Sequence, residues 1–589
     1  MNKDMANQVK RRRNSVLKFL SLLSIVFVIL LIIQILFLNI LPGQLALPLL
    51  AAILILTLLV FLVYNFTSNT WATRIISAIM VVVLTVGYGL GNYYVFKTNQ
   101  MLSSVTDLKT KLTHTMSVVT INTSDIDSVE DLNGKVMGTT PDIDEEGMAF
   151  GVEEVNKKVT VDVQEFASYE EALQALFNGT IDCLLISEAY RGVIYDLGGF
   201  DTFNSDTKVV FQASYQTDRP TQIADSQDAV NVTSQPFVVL ISGNDSYGSL
   251  NENSRSDSNT LLTINPNTHE ILMISIPRDY YEPMACGSGY ENTCPDGEND
   301  KLTHTGMFGV ETTEATIEQM LGIDINYYFR VNFSSLVNIV DALGGINVTV
   351  EKGMEVETFY ANDRLEGVHE GVNHLDGERA LAYARERHAY VDGDLQRIKN
   401  QQQVLQAIIG RLSSPSLVLQ YGSLVDALSE AFETNMSSDD ILSFIRFQLI
   451  VQPKWHFESY ALVGSDTGMY PCASVGQEAS VVIPDDGSVL TASQKIQAVL
   501  NGQKASSIKD QAGKAVKKEE DEQEEDTQEQ EETETDVPQT DPGLYNSQPV
   551  TGPDSYTTYD TYPTYDAGIP YDPNAVYDPN VTYDTGIYQ

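Results

Sequence analysis

Residues 378–405 read ERALAYARERHAYVDGDLQRIKNQQQVL, and the rest of the predicted architecture is arranged around them. Their apolar positions, such as Leu381 and Ile398, predict two short helices that each bury one side. The same stretch contains four arginines, Arg379, Arg385, Arg387 and Arg397. Guanidinium groups are permanently charged and present a planar fork of N–H donors that suits phosphate. In a chain with a formal net charge of −44, this basic cluster is a candidate phosphate-binding site, although a solvated helix face is the simpler alternative for any single arginine.

The overall composition indicates a protein of several domains and argues against two classes, nucleic-acid-binding proteins and disulfide scaffolds. With 589 residues and 43% hydrophobic content, the chain can form several domains. Lys and Arg number 36 against 80 Asp and Glu, which argues against nucleic acid as a partner because most of the surface would repel a polyanion. Four cysteines are too few for a disulfide scaffold, but Cys286 and Cys294 lie in one Gly/Pro-rich loop and can pair if the domain is exported.

Three uncharged runs near the N-terminus predict transmembrane helices, because each is long enough to cross a hydrocarbon core of about 30 Å. They are Phe19–Leu38, Leu45–Tyr64 and Ile75–Phe96. Lys10 and the three arginines that follow it precede the first run, and Arg74 precedes the third. The positive-inside tendency therefore predicts a multi-pass protein of the cell membrane with a cytoplasmic N-terminus and with everything after about Lys97 outside the cell.

Beyond the membrane segments, the sequence predicts an α/β fold class. We divide the chain into a cytoplasmic basic N-terminus (1–18), three transmembrane helices (19–96), an accessory α/β domain (97–228), a large α/β domain with a central mixed sheet flanked by helices (235–500) and a tail (501–589). The tail contains the block KKEEDEQEEDTQEQEETETD and then Tyr-Asp pairs that recur every six residues. Such a composition predicts disorder, either as a spacer or as a ligand for a wall partner.

Charged residues of the large domain fall at predicted strand ends. Asp245 follows a buried strand, Arg255 and Asp257 precede the next strand, and Arg278 and Asp279 follow the hairpin that turns at Asn265-Pro266. Neighbouring strands can bring Asp245 and Asp257 to one hard cation, and Mg²⁺ prefers a few carboxylates together with phosphate oxygens. With the arginines nearby, the pattern favours a diphosphate site. Asp279 is a candidate general base, and a salt bridge to an arginine is an equal alternative.

Seven sequence blocks between about 235 and 420 carry a family resemblance. In order they are GNDSYG, SRSDSNTLLTINP, ILMISIPRD, NDKLTHTG, YYFRVNFSSLVNIVDALGGINV, HLDGERALAYARER and GDLQRIKNQQQVL. Their order and spacing resemble the LytR-CpsA-Psr (LCP) family, and the three spans with an accessory domain resemble its CpsA-like branch. The resemblance implies a membrane-anchored, magnesium-dependent phosphotransferase of Gram-positive bacteria. Such enzymes move a glycopolymer from undecaprenyl pyrophosphate to peptidoglycan. Capsular polysaccharide is the expected polymer, with teichoic acid and rhamnose polymers open.

The resemblance also implies roles for individual residues. It makes Asp245 and Asp257 the magnesium ligands and Arg255, Arg278 and Asp279 the catalytic group. The carrier's pyrophosphate is expected to contact Arg255, Arg278, Arg385, Arg387, Arg397 and Gln401. Asp394, Arg397 and Gln401 fall at i, i+3 and i+7, on one helical face, where Asp394 is expected to orient Arg397. Lys301 of the KLTHT block is expected to support the site.

Three other functions remain alternatives. The same site can use water as the acceptor, which would make the protein a polyprenyl-pyrophosphate hydrolase. It can also be a non-catalytic glycopolymer-binding protein, or a membrane-bound regulator that acts with other capsule or wall assembly proteins. The expected cytoplasmic material is too short for a DNA-reading module, whose helix must enter a groove.

Overall fold

The computed structural model describes most of the chain up to residue 513. The described residues are 3–38, 43–67, 71–106, 111–195, 197, 199–200, 202–218, 230–244, 250, 252–287, 290, 294–390, 393–412, 425, 427–428 and 431–513. The Tyr-Asp repeats and the acidic block, predicted to be disordered, lie outside these residues, as does Asp245.

Three apolar helices open the chain, as predicted: α1 (Lys3–Leu38), α2 (Gly43–Leu62) and α3 (Trp71–Thr106). All three are long and apolar enough to cross a membrane. A short π-helical turn, Val63–Thr67, extends α2. Polar contacts join the three helices: the Thr57 and Tyr88 hydroxyls lie 2.7 Å apart, and Asn92 Nδ2 donates to the carbonyl of Phe27 over 2.9 Å.

In its described residues, the accessory domain contains one five-stranded sheet and four α-helices. Its strands are β1 (Lys111–Ile121), β2 (Val136–Thr139), β3 (Asp162–Glu165), β4 (Cys183–Ser187) and β5 (Thr207–Asp218), in the order β3-β2-β4-β1-β5. The helices are α4 (Glu145–Asn156), α5 (Tyr169–Phe177), α6 (Arg191–Tyr195) and α7 (Phe203–Asp206). Strand β4 is the sequence CLLIS, and all five of its residues are buried. A 3₁₀ turn, Glu188–Tyr190, leads from β4 directly into α6.

The large domain is built from many more elements. Its strands are β6 (Phe237–Asn244), β7 (Ser256–Asn265), β8 (Glu270–Ile276), β9 (Tyr281–Pro283), β10 (Asn299–Lys301), β11 (Tyr327–Val331), β12 (Ile346–Val350), β13 (Val356–Phe359), β14 (Asn362–Val368), β15 (Gly371–Leu375), β16 (Glu433–Thr434), β17 (His456–Ala461), β18 (Gly464–Cys472) and β19 (Gln477–Pro484). Its helices are α8 (Val310–Leu321), α9 (Phe333–Ala342), α10 (Gly377–Arg385), α11 (Gly393–Leu412), α12 (Ser438–Val451) and α13 (Asp486–Leu500).

A six-stranded mixed sheet forms the centre of this domain, in the order β16-β11-β6-β7-β8-β17. Strand β7 runs antiparallel to both of its neighbours, β6 and β8, whereas β11 pairs in parallel with β6 and β17 in parallel with β8. Alternate residues of β6 enter opposite cores, Leu240 on one face and Val239 on the other. The sheet is therefore covered on both sides, as the prediction of a central mixed sheet flanked by helices requires.

Several predicted helix limits differ from the structure. The second helix of the 378–405 stretch was expected to be short, but α11 has 20 residues because its apolar face continues beyond Leu405 to Ile408 and Ile409, which also pack against the core. The segment TTEATIEQMLG, residues 312–322, predicts a helix with a threonine cap and a glycine stop. Helix α8 begins instead at Val310 after Gly309, and it ends, as predicted, at a left-handed glycine, Gly322.

Helix α3 continues ten residues past the predicted span, which ended at Phe96. At about 1.5 Å per residue, its 36 residues are longer than a bilayer core is thick. The additional turns form an apolar cluster with the large domain, in which Leu102 and Val105 meet Leu442 of α12. The hydroxyls of Thr106 and Ser438 lie 2.8 Å apart at the end of this contact. The large domain thus packs directly on the third helix.

At two further segments the structure adds to what the sequence predicts. Cys286 and Cys294 form a disulfide, the pairing left open above. Residues 501–513 were assigned to the tail but pack against the large domain: the Tyr460 hydroxyl donates to Asp510 over 3.0 Å, and Ala505 is buried. Lys495 Nζ donates to the Ala505 carbonyl over 2.9 Å.

Candidate functional site: an arginine and carboxylate cluster

The antiparallel pairing of β6, β7 and β8 gathers the predicted charges at one edge of the sheet. Asn244, the residue before Asp245, pairs with Ser256, the residue before Asp257. Asn259 of β7 pairs with Ile276 of β8, so the start of β7 lies beside the segment that carries Arg278. Strand pairing thus brings Asp257 and Arg278 to the same edge of the sheet, whereas Asp245 lies outside the described residues, so its pairing with Asp257 at one cation stays a prediction.

Asp257 is the centre of this cluster. Arg278 Nη1 lies 2.7 Å from Asp257 Oδ2, and Arg255 Nη2 lies 3.6 Å from the same oxygen. The hydroxyl of Thr303 donates to Asp257 Oδ1 over 2.7 Å. Burial by itself would raise the pKa of Asp257, but the charges of Arg255 and Arg278, with the Thr303 hydrogen bond and Arg397, lower the pKa far below its usual range. Asp257 is thus a fixed negative charge among arginines.

A second ion pair lies beside the first. Lys301 Nζ is 3.1 Å from Asp279 Oδ1, and Arg278 Nε is 3.6 Å from Asp279 Oδ2. Burial raises the pKa of Asp279, whereas the charges of Lys301 and Arg278 outweigh it and bring the pKa to about 2. A carboxylate with so low a pKa is a weak proton acceptor, which favours the salt-bridge alternative for Asp279 over the general base.

The segment 301–303 is held in place by backbone pairing. Lys301 pairs with Tyr281 across β9 and β10, and the Thr303 amide donates to the Arg278 carbonyl over 2.8 Å. Because the two segments run side by side, Lys301 faces Asp279 and Thr303 faces Asp257. Sequence reasoning missed Thr303; its place two residues after Lys301 in the KLTHT block was the available signal.

Helix α11 crosses the same edge of the sheet. Ser258 Oγ donates to Gln401 Oε1 over 3.3 Å, and Gln402 Nε2 donates to Ser275 Oγ over 2.9 Å. Arg397, one turn before Gln401, is close enough for its charge to lower the pKa of both Asp257 and Asp279. Asp394 lies in the first turn of α11, and its side chain is outside the described part of the structure.

The two remaining predicted arginines have other surroundings. Arg385 is the last residue of α10, and its guanidinium stacks over the ring of Phe333 at 4.5 Å, a contact that the sequence did not suggest. Arg387 is half-buried in the loop before α11, where its carbonyl accepts from the Tyr390 amide over 3.2 Å. The structure thus joins Arg255, Arg278, Lys301 and Arg397 around the two carboxylates, and the phosphate-binding roles of all these residues stay predictions.

A buried cluster next to the site, formed by Asp300, His304 and Cys472, has a structural role. His304 Nδ1 lies 2.6 Å from Asp300 Oδ1, and the Ser474 amide donates to Asp300 Oδ2 over 2.6 Å. Cys472 lies against the same pair, and burial, followed by the charge of Asp300, raises the pKa of its thiol to about 12. These contacts join the segment that carries Lys301 to the β18–β19 hairpin.

Comparison with known proteins shows matches to one protein family. Residues 202–465 match the family model described as the LytR_cpsA_psr family. A polyisoprenyl-teichoic acid–peptidoglycan teichoic acid transferase, TagU of Bacillus cereus, is 30% identical over 254 residues, which cover 42% of this chain and 78% of TagU. TagT of Bacillus subtilis, which has the corresponding name, is 34% identical over 235 residues, 39% of this chain and 68% of TagT. A solved structure of TagT bound to LI-WTA is 28% identical, with a TM-score of 0.37, and covers 47% of this chain and 96% of that one. The chain therefore belongs to the LytR-CpsA-Psr family.

Proposed function

We propose that this protein is a membrane-anchored phosphotransferase that moves a glycopolymer from a polyprenyl pyrophosphate carrier, undecaprenyl pyrophosphate, to peptidoglycan. The observation that carries the proposal is the ion-pair cluster of Asp257 with Arg278 and Arg255, at 2.7 and 3.6 Å. Arginines held by a buried carboxylate at the edge of a sheet can exchange part of that pairing for the oxygens of a diphosphate. The printed names of TagU and TagT, which are transferases of teichoic acid to peptidoglycan, support the same reaction class.

The chemistry follows from the charges. An acceptor hydroxyl attacks the phosphorus next to the sugar, and the bond from that phosphorus to the bridging oxygen breaks. The polyprenyl phosphate leaves with the electron pair, and the hydroxyl proton is released. Arg255, Arg278 and Arg397 stabilise the negative charge that grows on the leaving phosphate, so no covalent intermediate with the protein is required.

The residues also fit a magnesium ion, the proposed cofactor. Asp257 remains ionised because the neighbouring cations lower its pKa, and an ionised carboxylate is the type of oxygen donor that Mg²⁺ prefers. Asp245 is the proposed second ligand. It follows Asn244 in the chain, and Asn244 pairs with Ser256, the residue before Asp257. When bound, the ion would neutralise phosphate charge that the arginines leave uncompensated.

The location and the polymer are also proposals. Three apolar helices fit a membrane anchor, and the basic residues before α1 and α3 favour a cytoplasmic N-terminus, so that the large domain lies outside the cell. There it meets both the lipid carrier and peptidoglycan. The three-helix layout with an accessory domain favours capsular polysaccharide as the polymer.

The test is turnover of an oligosaccharide linked to polyprenyl pyrophosphate by the full chain in detergent, with Mg²⁺ and peptidoglycan fragments. We expect release of polyprenyl phosphate that EDTA abolishes and that Asp257→Ala and Arg278→Ala reduce by about 10²-fold or more. Arg364→Ala is the matched control, since Arg364 is exposed on β14, and it should retain wild-type turnover.

The products decide between the remaining functions. Sugar attached to peptidoglycan supports transfer, whereas free phosphorylated sugar with no attachment would make the protein a hydrolase. A folded wild-type chain that binds the lipid without turning it over would leave only a binding role.

A further inference from the structure

The short helix α6 makes one of the contacts between the accessory domain and the large domain. Helix α6 and the turn before it bury Tyr190, Val193 and Ile194 in an apolar cluster. The same cluster contains Met307 and Phe308 of the large domain. The two domains therefore share a core at this point, and α6 is fixed against the large domain.

Within α6, Gly192 faces the guanidinium of Arg255. A Cβ added to Gly192 would lie 2.6 Å from Arg255 Nε and 3.0 Å from Cζ. These distances are shorter than van der Waals contact, so no side chain fits between the α6 backbone and Arg255. Arg255 is only 5% exposed, and its guanidinium rests directly on the accessory domain.

A second glycine, Gly306, packs against the backbone at Arg255. A Cβ on Gly306 would lie 2.5 Å from the Ser254 carbonyl oxygen and 3.0 Å from the carbonyl carbon of Arg255. Gly306 belongs to the same 3₁₀ segment as Thr303, Leu302–Phe308. The arginine is thus held between that segment, which contacts its backbone, and α6, which contacts its side chain.

A further contact between the domains holds the chain that leads to Arg255. The hydroxyl of Thr115 in β1 donates to Glu252 Oε1 over 2.8 Å. Arg330 Nη2 donates to the Glu252 carbonyl over 2.8 Å. Glu252, three residues before Arg255, is therefore held by the accessory domain through its side chain and by the central sheet through its carbonyl.

We infer that Gly192 is a positioning residue for the pyrophosphate site and that the accessory domain completes this site by supporting Arg255 from behind. The inference rests on the proposed function, because it gives the accessory domain a role in that same site. A guanidinium binds a diphosphate well only in a narrow range of orientations, and a shift of about 1 Å is enough to weaken such a contact strongly.

The physical consequence distinguishes positioning from ordinary packing. The atoms that a Gly192 methyl group would meet are the end of a flexible side chain, so Arg255 can move aside at little cost in stability. Gly151 in α4 offers a matched comparison, because its added Cβ would lie 2.7 Å from Leu185 in the accessory-domain core. Gly192→Ala should therefore impair the site, and Gly151→Ala should impair only stability.

The experiment uses the full chain in detergent, geranylgeranyl pyrophosphate with Mg²⁺ as the probe, and thermal unfolding as the stability measurement. We expect Gly192→Ala to weaken binding at least fivefold, and Gly151→Ala to lower Tm while its affinity stays within twofold of wild type. In an Arg255→Ala background, Gly192→Ala should cause no further loss of affinity, because the residue that it displaces is gone.

Three outcomes would overturn the inference. Wild-type affinity in Gly192→Ala, or an equal loss in the Arg255→Ala background, would mean that Gly192 does not act through Arg255. If Gly192→Ala does not fold, the double variant must fold, since the methyl group then has room; failure of both would contradict the contact. A wild-type chain that does not bind the probe would instead refute the proposed function itself.

Discussion

Arg278 Nη1 and Asp257 Oδ2 form the closest ion pair of the described site, at 2.7 Å, and both side chains are largely buried. In this arrangement the proposed phosphate-binding arginine is neutralised by the proposed metal ligand. The pair keeps two opposite charges in place at this edge of the sheet. If the proposed function is right, Asp257 would hold the arginines before the substrate binds and a magnesium ion afterwards.

The first prediction concerns the charge of Asp257. Asp257→Asn keeps the shape and an oxygen acceptor for Thr303 but removes the buried negative charge that lies beside Arg255 and Arg278. We expect turnover to fall by about 10²-fold and the free energy of unfolding to fall by on the order of 3 kcal/mol, since breaking a buried ion pair from one side leaves a charge uncompensated. Turnover assays and denaturant unfolding measure the two effects. Turnover within twofold of wild type would contradict the role of this carboxylate.

The hydroxyl of Thr303 provides a second test. Thr303→Val preserves volume but removes the donor to Asp257 Oδ1, whereas Thr303→Ser keeps the donor. We expect Val, and not Ser, to weaken binding of a polyprenyl pyrophosphate by roughly three- to tenfold, which corresponds to the net contribution of about one hydrogen bond. Calorimetric titration checks this, and equal affinities for the two variants would show that the hydroxyl does not position Asp257.

A third prediction concerns pH and Asp279. Its pKa is about 2 in the folded chain, against about 3.9 for an unfolded aspartate. Between these values the unfolded state binds more protons, so the stability that Asp279 contributes is complete above about pH 4 and is lost as the pH falls toward 2. Thermal unfolding from pH 5 to 2 should show a smaller loss in Asp279→Asn than in wild type.

Lys301→Met is the companion variant for this pH experiment. Without the Lys301 charge, the pKa of Asp279 in the folded chain rises, so the loss of stability should be smaller overall and should be complete at a higher pH than in wild type. A profile identical to wild type in both variants would mean that this ion pair does not contribute to the acid sensitivity of the fold.

A fourth prediction concerns the aromatic partner of Arg385. Phe333→Leu removes the ring that lies 4.5 Å from the guanidinium, and Phe333→Tyr keeps a ring. If Arg385 contacts the carrier's phosphates, Leu should weaken binding two- to fivefold, in line with about 0.5–1 kcal/mol for a cation–π contact. Tyr should bind as wild type does. Undiminished affinity in Phe333→Leu would separate this ring from the function of Arg385.

The last prediction concerns topology. Reporter fusions that are active only outside the cytoplasm should be active after residue 41, inactive after residue 69 and active after residue 107. The reason is the positive-inside tendency, by which the basic residues before α1 and Arg74 before α3 are expected on the cytoplasmic side. The opposite pattern of activities would place the large domain in the cytoplasm, away from peptidoglycan.

Local sequence determined much of this protein. Uncharged runs predicted the three apolar helices, and alternation around Asn265-Pro266 predicted the β7–β8 hairpin. The glycine stop of α8 was also predicted. These features depend on residues close together in the chain, where periodicity and turn chemistry are sufficient. The arginine-bearing blocks also identified the family, because their order is a property of the sequence alone.

Only the tertiary structure decided which charges meet. Lys301 pairs with Asp279 and Thr303 with Asp257 because β9 and β10 lie side by side, and no local pattern encodes that pairing. The contact of Gly192 with Arg255 likewise joins two domains across 63 positions of the chain. Sequence periodicity shows that a face is buried but not what buries it, since the partner is chosen by the packing of the whole fold.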